Sequence, residues 1–156
     1  MGPSGVPVTE RDAATDVDNE IFSHRETETM PQDTFNVRYM VHDVSSSVAW
    51  YTKHLGFTLI SDAAPAFADV RRGPLRLLLS GSSSSAGRAM PDGRRPEPGG
   101  WNRIELVVGD LPAEVERMRA AGLRFRNDIV KGPGGSQILL EDPSGNLVEL
   151  FEPAKH

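Results

Sequence analysis

Two stretches of this chain repeat one another, and the repeat limits the fold more than any other feature. NVRYMVHDVSSSVAWYTKHLGF (36–57) and RIELVVGDLPAEVERMRAAGL (103–123) share one plan. Each begins with an alternating strand and reaches an aspartate, Asp43 or Asp110, at a helix N-cap position. Helical spacing follows, with stripes Val44, Val48, Tyr51, Leu55 and Leu111, Val115, Met118. Pro112 suits the first turn. Gly56 and Gly122 suit the left-handed position that ends a helix.

The likeness continues beyond the helices. FTLISDA, FADVRR and PLRLLLS read as three strands, and LRFRNDIV, SQILLED and NLVELFE as three more. Asp142-Pro143-Ser144-Gly145 supplies turn chemistry between the last two. The chain therefore reads as an α+β protein built from tandem βαβββ modules, residues 34–80 and 101–154. The KGPGGS stretch at 131–136 reads as a hairpin loop. Residues 81–100, rich in Gly, Ser and Pro, read as a linker. A loop of this length can also serve as a lid, and this one carries Arg88, Arg94 and Arg95.

Charge is distributed unevenly. Residues 1–33 hold eight acidic and two basic residues, whereas the remainder holds 14 acidic and 15 basic. The acidic segment has no sustained periodicity and is expected to be disordered; a partner-binding arm anchored by Ile21 and Phe22 is the alternative. The nearly neutral remainder has no basic stripe, which argues against a nucleic-acid partner. With no cysteine in the chain, disulfides, thiolate metal sites and cysteine nucleophiles are excluded. No apolar run resembles a membrane span or a signal peptide, so a cytoplasmic location is expected.

Alternation assigns faces to the strands. Val37, Tyr39 and Val41, with Ile104, Leu106 and Val108, should lie under the helices. The opposite face is expected to be mixed, with polar Asn36, Arg38, Arg103, Glu105 and Glu149 beside Leu75, Leu77, Leu79, Leu147 and Phe151. Large apolar groups interleaved with charges suit a partly buried ligand pocket better than a solvated sheet.

The paired βαβββ unit, the strand–Asp–helix–Gly openings and the ending DPSGNLVELFEP resemble the vicinal oxygen chelate superfamily. That group includes glyoxalase I, extradiol dioxygenases, fosfomycin-resistance enzymes and bleomycin-resistance proteins. The resemblance covers about residues 34–154 and implies a cup formed by two sheets, the glyoxalase/bleomycin-resistance fold. It implies four metal-ligand positions in metal-dependent members. Here these fall on Asn36, Leu77, Arg103 and Glu149, of which only Glu149 is a good ligand. A protonated guanidinium cannot ligate a cation and leucine has no donor, so no metal is expected; a divalent ion at Glu149 is the alternative.

From this follows the expectation that Arg103 supplies the positive charge and pairs with Glu149, in bidentate fashion, offsetting the cost of an acid between Leu147 and Phe151. Asn36, Arg38, Leu77, Trp101, Arg103, Glu105, Glu149 and Phe151 are the expected ligand-binding residues. The expected function is metal-independent binding of a small organic molecule, by a homodimer. The alternative is a glyoxalase-like lyase or isomerase or a dioxygenase, metal-free or with a non-standard metal site. In the metal-free form Glu149 or Glu105 is the base and Arg103 or Arg38 stabilises an oxyanion. His42 falls at a strand end, where solvation is the plain reading. His54 lies in a last helical turn, where an imidazolium favours the dipole. His24 and His156 are in the tails. The chain has no HExxH, P-loop or GxSxG motif.

Overall fold

The computed structural model of the chain describes residues 34–156. Both readings of the acidic segment 1–33 lie outside the described residues. The first module contains β1 (Asn36–Met40), α1 (Val44–His54), β2 (Thr58–Ala63), β3 (Phe67–Arg72) and β4 (Leu75–Ser80). The second contains β5 (Arg103–Val107), α2 (Leu111–Ala120), β6 (Arg124–Phe125), β7 (Val130–Gly132), β8 (Gly135–Glu141) and β9 (Leu147–Pro153). The sheets are mixed and ordered β1-β4-β3-β2 and β5-β9-β8-β6, with β7 on β8. In each, the first strand runs parallel to the last, because the helix between carries the chain back over the sheet. This is the α+β architecture of two cupped βαβββ modules.

Both helices start and stop as their chemistry dictates. Asp43 accepts a hydrogen bond from the Ser46 N–H at 2.7 Å, and Asp110 from that of Ala113 at 3.1 Å. Each cap is worth about 1 kcal/mol. Gly56 and Gly122 take φ of 69° and 81°, which lets the chain turn off the helix towards the next strand. The second strand of module two departs from expectation. LRFRNDIV does not form one strand but divides into β6 and β7. The Asn127 side chain accepts the Leu139 N–H at 2.9 Å, so a side chain takes the place of the backbone ladder there. KGPGGS forms the β7–β8 hairpin, as expected.

The helix-facing residues of both modules merge into one core. Tyr39, Tyr51, Leu77 and Leu79 meet Ile104, Leu106, Met118, Ile138 and Leu150 there. Two polar devices fasten the modules across this core. The buried Tyr39 hydroxyl donates to the Leu147 carbonyl at 2.6 Å and accepts the Ile104 N–H at 2.8 Å. Burial pushes its pKa up to about 12, so it stays protonated as a donor.

The second device is the DPSGN turn. The buried Asp142 carboxylate accepts from the Tyr51 hydroxyl at 2.8 Å, the N–H groups of Ser144 and Asn146, and the Asn146 amide. Asn146 then donates to the Met40 carbonyl at 2.8 Å. The family-like ending is therefore a clasp between modules. Among the described residues, no buried side-chain nitrogen or oxygen lacks a partner. No helix of the described residues is long and apolar enough to cross a membrane.

The expected position of the first module's closing strand is corrected. Leu77 pairs with Val37, and Leu79 with Tyr39, so both lie on the helix side; each is fully buried in the core. Leu75 packs against that core too. In module two, Glu149 pairs instead with Glu105, two residues into its strand. Leu78, opposite Arg38, is therefore the true counterpart of Glu149. Alignment of GPLRLLLS with GNLVELFE without a gap misses this offset, because β4 pairs one residue farther from its turn. A one-residue slip exchanges the two faces of a strand.

Candidate functional site

Because the core lies between the modules, the residues that alternate with it line the opposite face of each sheet. On the second sheet, β5 contributes Arg103, Glu105 and Val107, and β9 contributes Leu147, Glu149 and Phe151, in direct register. Gln137 and Leu139 of β8 extend the surface beside Phe151 and Glu149.

The charged centre is a pair of acids and one arginine. Arg103 Nε donates to Glu149 Oε2 at 2.8 Å. The Glu149 side chain is 7% exposed and that of Arg103 is 31%. The contact uses Nε alone rather than a bidentate fork, and Nη1 donates to the Trp101 carbonyl at 3.3 Å. Glu105 stands directly across the ladder from Glu149. Like charges in that position repel. A hydrogen bond that the Glu105 carboxyl donates to Glu149, with desolvation and the Glu149 charge, holds Glu105 above its ordinary value. Leu147 is buried beside the pair, Phe151 is half-buried, and Val107 is 59% exposed at the open side. An ion pair, a second acid and apolar walls thus occupy one sheet face. Such a surface can bind a small molecule with both an apolar body and polar groups.

The remaining expected residues are dispersed. Trp101 adjoins Arg103 through its carbonyl, but its ring is 68% exposed and carries the Arg126 guanidinium 5.5 Å above it. Asn36 and Arg38 lie on the outer face of the first sheet, and Arg38 donates to Ser80 Oγ at 2.6 Å. Among the described residues, no hydrogen bond or ion pair joins the two outer faces. Leu77 is excluded by its burial in the core. His42 is exposed, and its backbone N–H donates to Ser144 Oγ. Burial, Lys53 and Arg117 hold His54 below its ordinary pKa, so the dipole does not win there. Arg94 of the 81–100 loop pairs with Asp92 at 2.7 Å, not with the acids of the second sheet.

One polar group on the first sheet escaped the sequence reading. Asp69 is fully buried on β3, bonded to Arg76 Nε at 2.7 Å and to the Ser61 hydroxyl. Burial alone would raise its pKa, but these hydrogen bonds outweigh it and hold the carboxyl below its ordinary value. Its signal was the alternation Phe67, Asp69, Arg71 against Ala68 and Val70.

The positions at which the resemblance implies metal ligands are thus Asn36, Leu78, Arg103 and Glu149. Their donors do not fit a divalent cation: one carboxylate is already bound to a guanidinium, and one side chain is a hydrocarbon. Among the described residues, no group of three His, Cys, Asp or Glu is placed to hold a metal.

Solved structures with the same fold include a lactoylglutathione lyase from Agrobacterium tumefaciens. It is 19% identical, with a TM-score of 0.61, and the match covers 80% of this chain and 96% of that one. A glyoxalase/bleomycin resistance protein/dioxygenase from Nocardioides is 25% identical, with a TM-score of 0.61 and coverage of 89% and 94%. An antibiotic binding protein from Streptomyces sp. CB03234 is 20% identical, with a TM-score of 0.58 and coverage of 80% and 100%. No curated protein matches the chain. The model of the Glyoxalase/Bleomycin resistance protein/Dioxygenase superfamily matches residues 34–150, and the chain belongs to that superfamily.

Proposed function

We propose that this chain is a metal-independent small-molecule-binding protein of the glyoxalase/bleomycin-resistance type, working as a homodimer. Its ligand rests on the outer face of the second sheet. The observation that carries this reading is the 2.8 Å contact between Arg103 and Glu149. The guanidinium holds the carboxylate at the position where the resemblance puts a metal-binding acid. Arg103 keeps an exposed edge and Glu105 is open to solvent. Together they offer hydrogen-bond donors and an acceptor, while Val107, Leu139 and Phe151 offer apolar contact. A small organic molecule with a flat apolar part and a polar edge suits them. A cytoplasmic location belongs to the same proposal.

A metal-free lyase or isomerase is the second reading, and the raised Glu105 carboxyl favours it. A carboxylate with a raised pKa is a better base. Arg103 beside it can stabilise a developing oxyanion.

Native mass spectrometry of the purified protein tests the first reading. A co-purified organic molecule, lost in Arg103→Ala, is the expected result. Turnover of that molecule by the wild type would favour the second reading. Stoichiometric divalent metal in elemental analysis would overturn both.

A further inference from the structure

The loop between the modules does more than span them. Parts of it lie beside the end of β1 and enclose, with that strand, a cavity of about 270 Å³. None of Arg103, Glu105 and Glu149 lines this cavity, so it is separate from the outer face of the second sheet.

Three segments line it, and each is held in place. The first is the end of β1 and the residues after it, Met40, Val41 and His42. The Met40 carbonyl accepts from the Asn146 amide at 2.8 Å, and the His42 N–H donates to Ser144 Oγ at 2.9 Å. The second is the turn that includes Ser82 and Gly87. The Gly87 N–H donates to the Ser84 carbonyl at 3.0 Å, and the Ser84 hydroxyl to the Gly81 carbonyl at 2.7 Å. A Cβ on Gly87 would stand 2.5 Å from the Ser82 carbonyl oxygen, so this closure requires glycine. The third segment runs from Arg95 to Pro98. Two prolines restrict its backbone, and the Gly99 N–H that follows donates to Asn146 Oδ1 at 2.8 Å. One side chain, Asn146, thus fastens two of the three segments. A cavity whose walls are fixed before binding avoids much of the ordering cost.

The lining carries both signs of charge. Arg95 and Glu97 flank Pro96, and among the described residues neither side chain has a hydrogen bond or an ion pair, with the other or with any third group. The neighbouring charges are either spent or outside. Arg94 is bound to Asp92, Asp43 caps its helix, and Arg88 does not line the cavity. An ion of one sign would meet one attractive and one repulsive group here, whereas a zwitterion meets two attractive ones. The Cα atoms of Arg95 and Glu97 are at most about 7 Å apart, a span over which their side chains can reach adjacent charged groups of one small molecule. Met40, Val41, Pro96 and Pro98 add apolar contact. Sites for drug-sized ligands run from roughly 300 to 1,000 Å³, so the occupant of this one is smaller.

We propose that the cavity binds a free α-amino acid with an apolar side chain. Its carboxylate meets Arg95, its ammonium meets Glu97, and its side chain lies against Met40, Pro96 and Pro98. The site goes beyond the one on the second sheet, and neither requires the other.

Isothermal titration calorimetry on the full chain tests this. L-valine, L-leucine and L-methionine are each titrated beside two analogues, the acid lacking the amino group and the amine lacking the carboxylate. At least one of the three amino acids is expected to bind saturably, one per chain, and at least tenfold tighter than either of its analogues. Arg95→Gln and Glu97→Gln should each weaken that binding at least tenfold. Both residues are exposed and without partners, so thermal melts should show both variants folded. Wild type that binds none of the three amino acids would overturn the proposal. So would an analogue that binds as tightly as its parent, or folded variants that bind like the wild type.

Discussion

Arg103 Nε lies 2.8 Å from Glu149 Oε2, and the two residues sit on strands hydrogen-bonded in parallel, two positions out of register. The arginine therefore reaches diagonally along the sheet to the acid. It leaves Leu147, its direct partner, buried beneath the contact. The carboxylate is almost wholly buried, and its ion pair replaces the water it gives up.

Arg103→Ala should lower stability, since it strands a buried acid. Loss of one member of a fully buried pair costs about 3–5 kcal/mol; with Arg103 nearly a third exposed, about 1–3 kcal/mol is expected. Adding Glu149→Leu to Arg103→Ala should recover part of the loss, because no charge then remains without a partner. Urea melts of both variants check this. An unchanged midpoint in Arg103→Ala would show that the pair contributes nothing.

Asp69 predicts a dependence on pH. Its carboxyl is held below the ordinary value in the folded chain, so the fold binds its proton less tightly than the unfolded chain does. Its contribution is present above the ordinary carboxylate range and disappears as pH falls through the depressed value. In thermal melts from neutral pH into acid, the wild type should lose stability relative to Asp69→Asn below about pH 4. A gap between the two that stays constant with pH would refute the assignment.

The DPSGN clasp predicts a large effect on stability. Asp142→Ala removes the acceptor of the Tyr51 hydroxyl and of three nitrogens' N–H groups. Leaving buried donors unmade should cost about 3 kcal/mol or more. Tyr51→Phe, which removes one donor, should cost about half as much. Equal losses in the two would mean that Asp142 acts only through the tyrosine.

Much of this was legible in the residues, and the failures have physical causes. The capping aspartates, the glycines after the helices and the 2.0 and 3.6 periodicities gave both modules, since those signals are local. The partnership of Arg103 with Glu149 was legible only as an implication of the family resemblance; the repeat added the position of Arg103, seven residues before its cap. Leu77 was misplaced because strand register depends on how β4 pairs with β1, which a row of leucines does not encode. LRFRNDIV was read as one strand because nothing in its spacing shows that Asn127 bonds Leu139 instead of continuing the ladder. The role of Asp142 was hidden because its partner Tyr51 is 91 residues away.

The central claim is that a side-chain cation stands at Glu149 where the superfamily resemblance implies an inorganic one. The most direct measurement is anomalous diffraction from crystals of the full chain grown with excess Mn²⁺. The account predicts the Arg103 guanidinium within hydrogen-bond reach of Glu149 and no anomalous peak beside that carboxylate. A manganese peak coordinated by Glu149, with Arg103 displaced from it, would contradict the account.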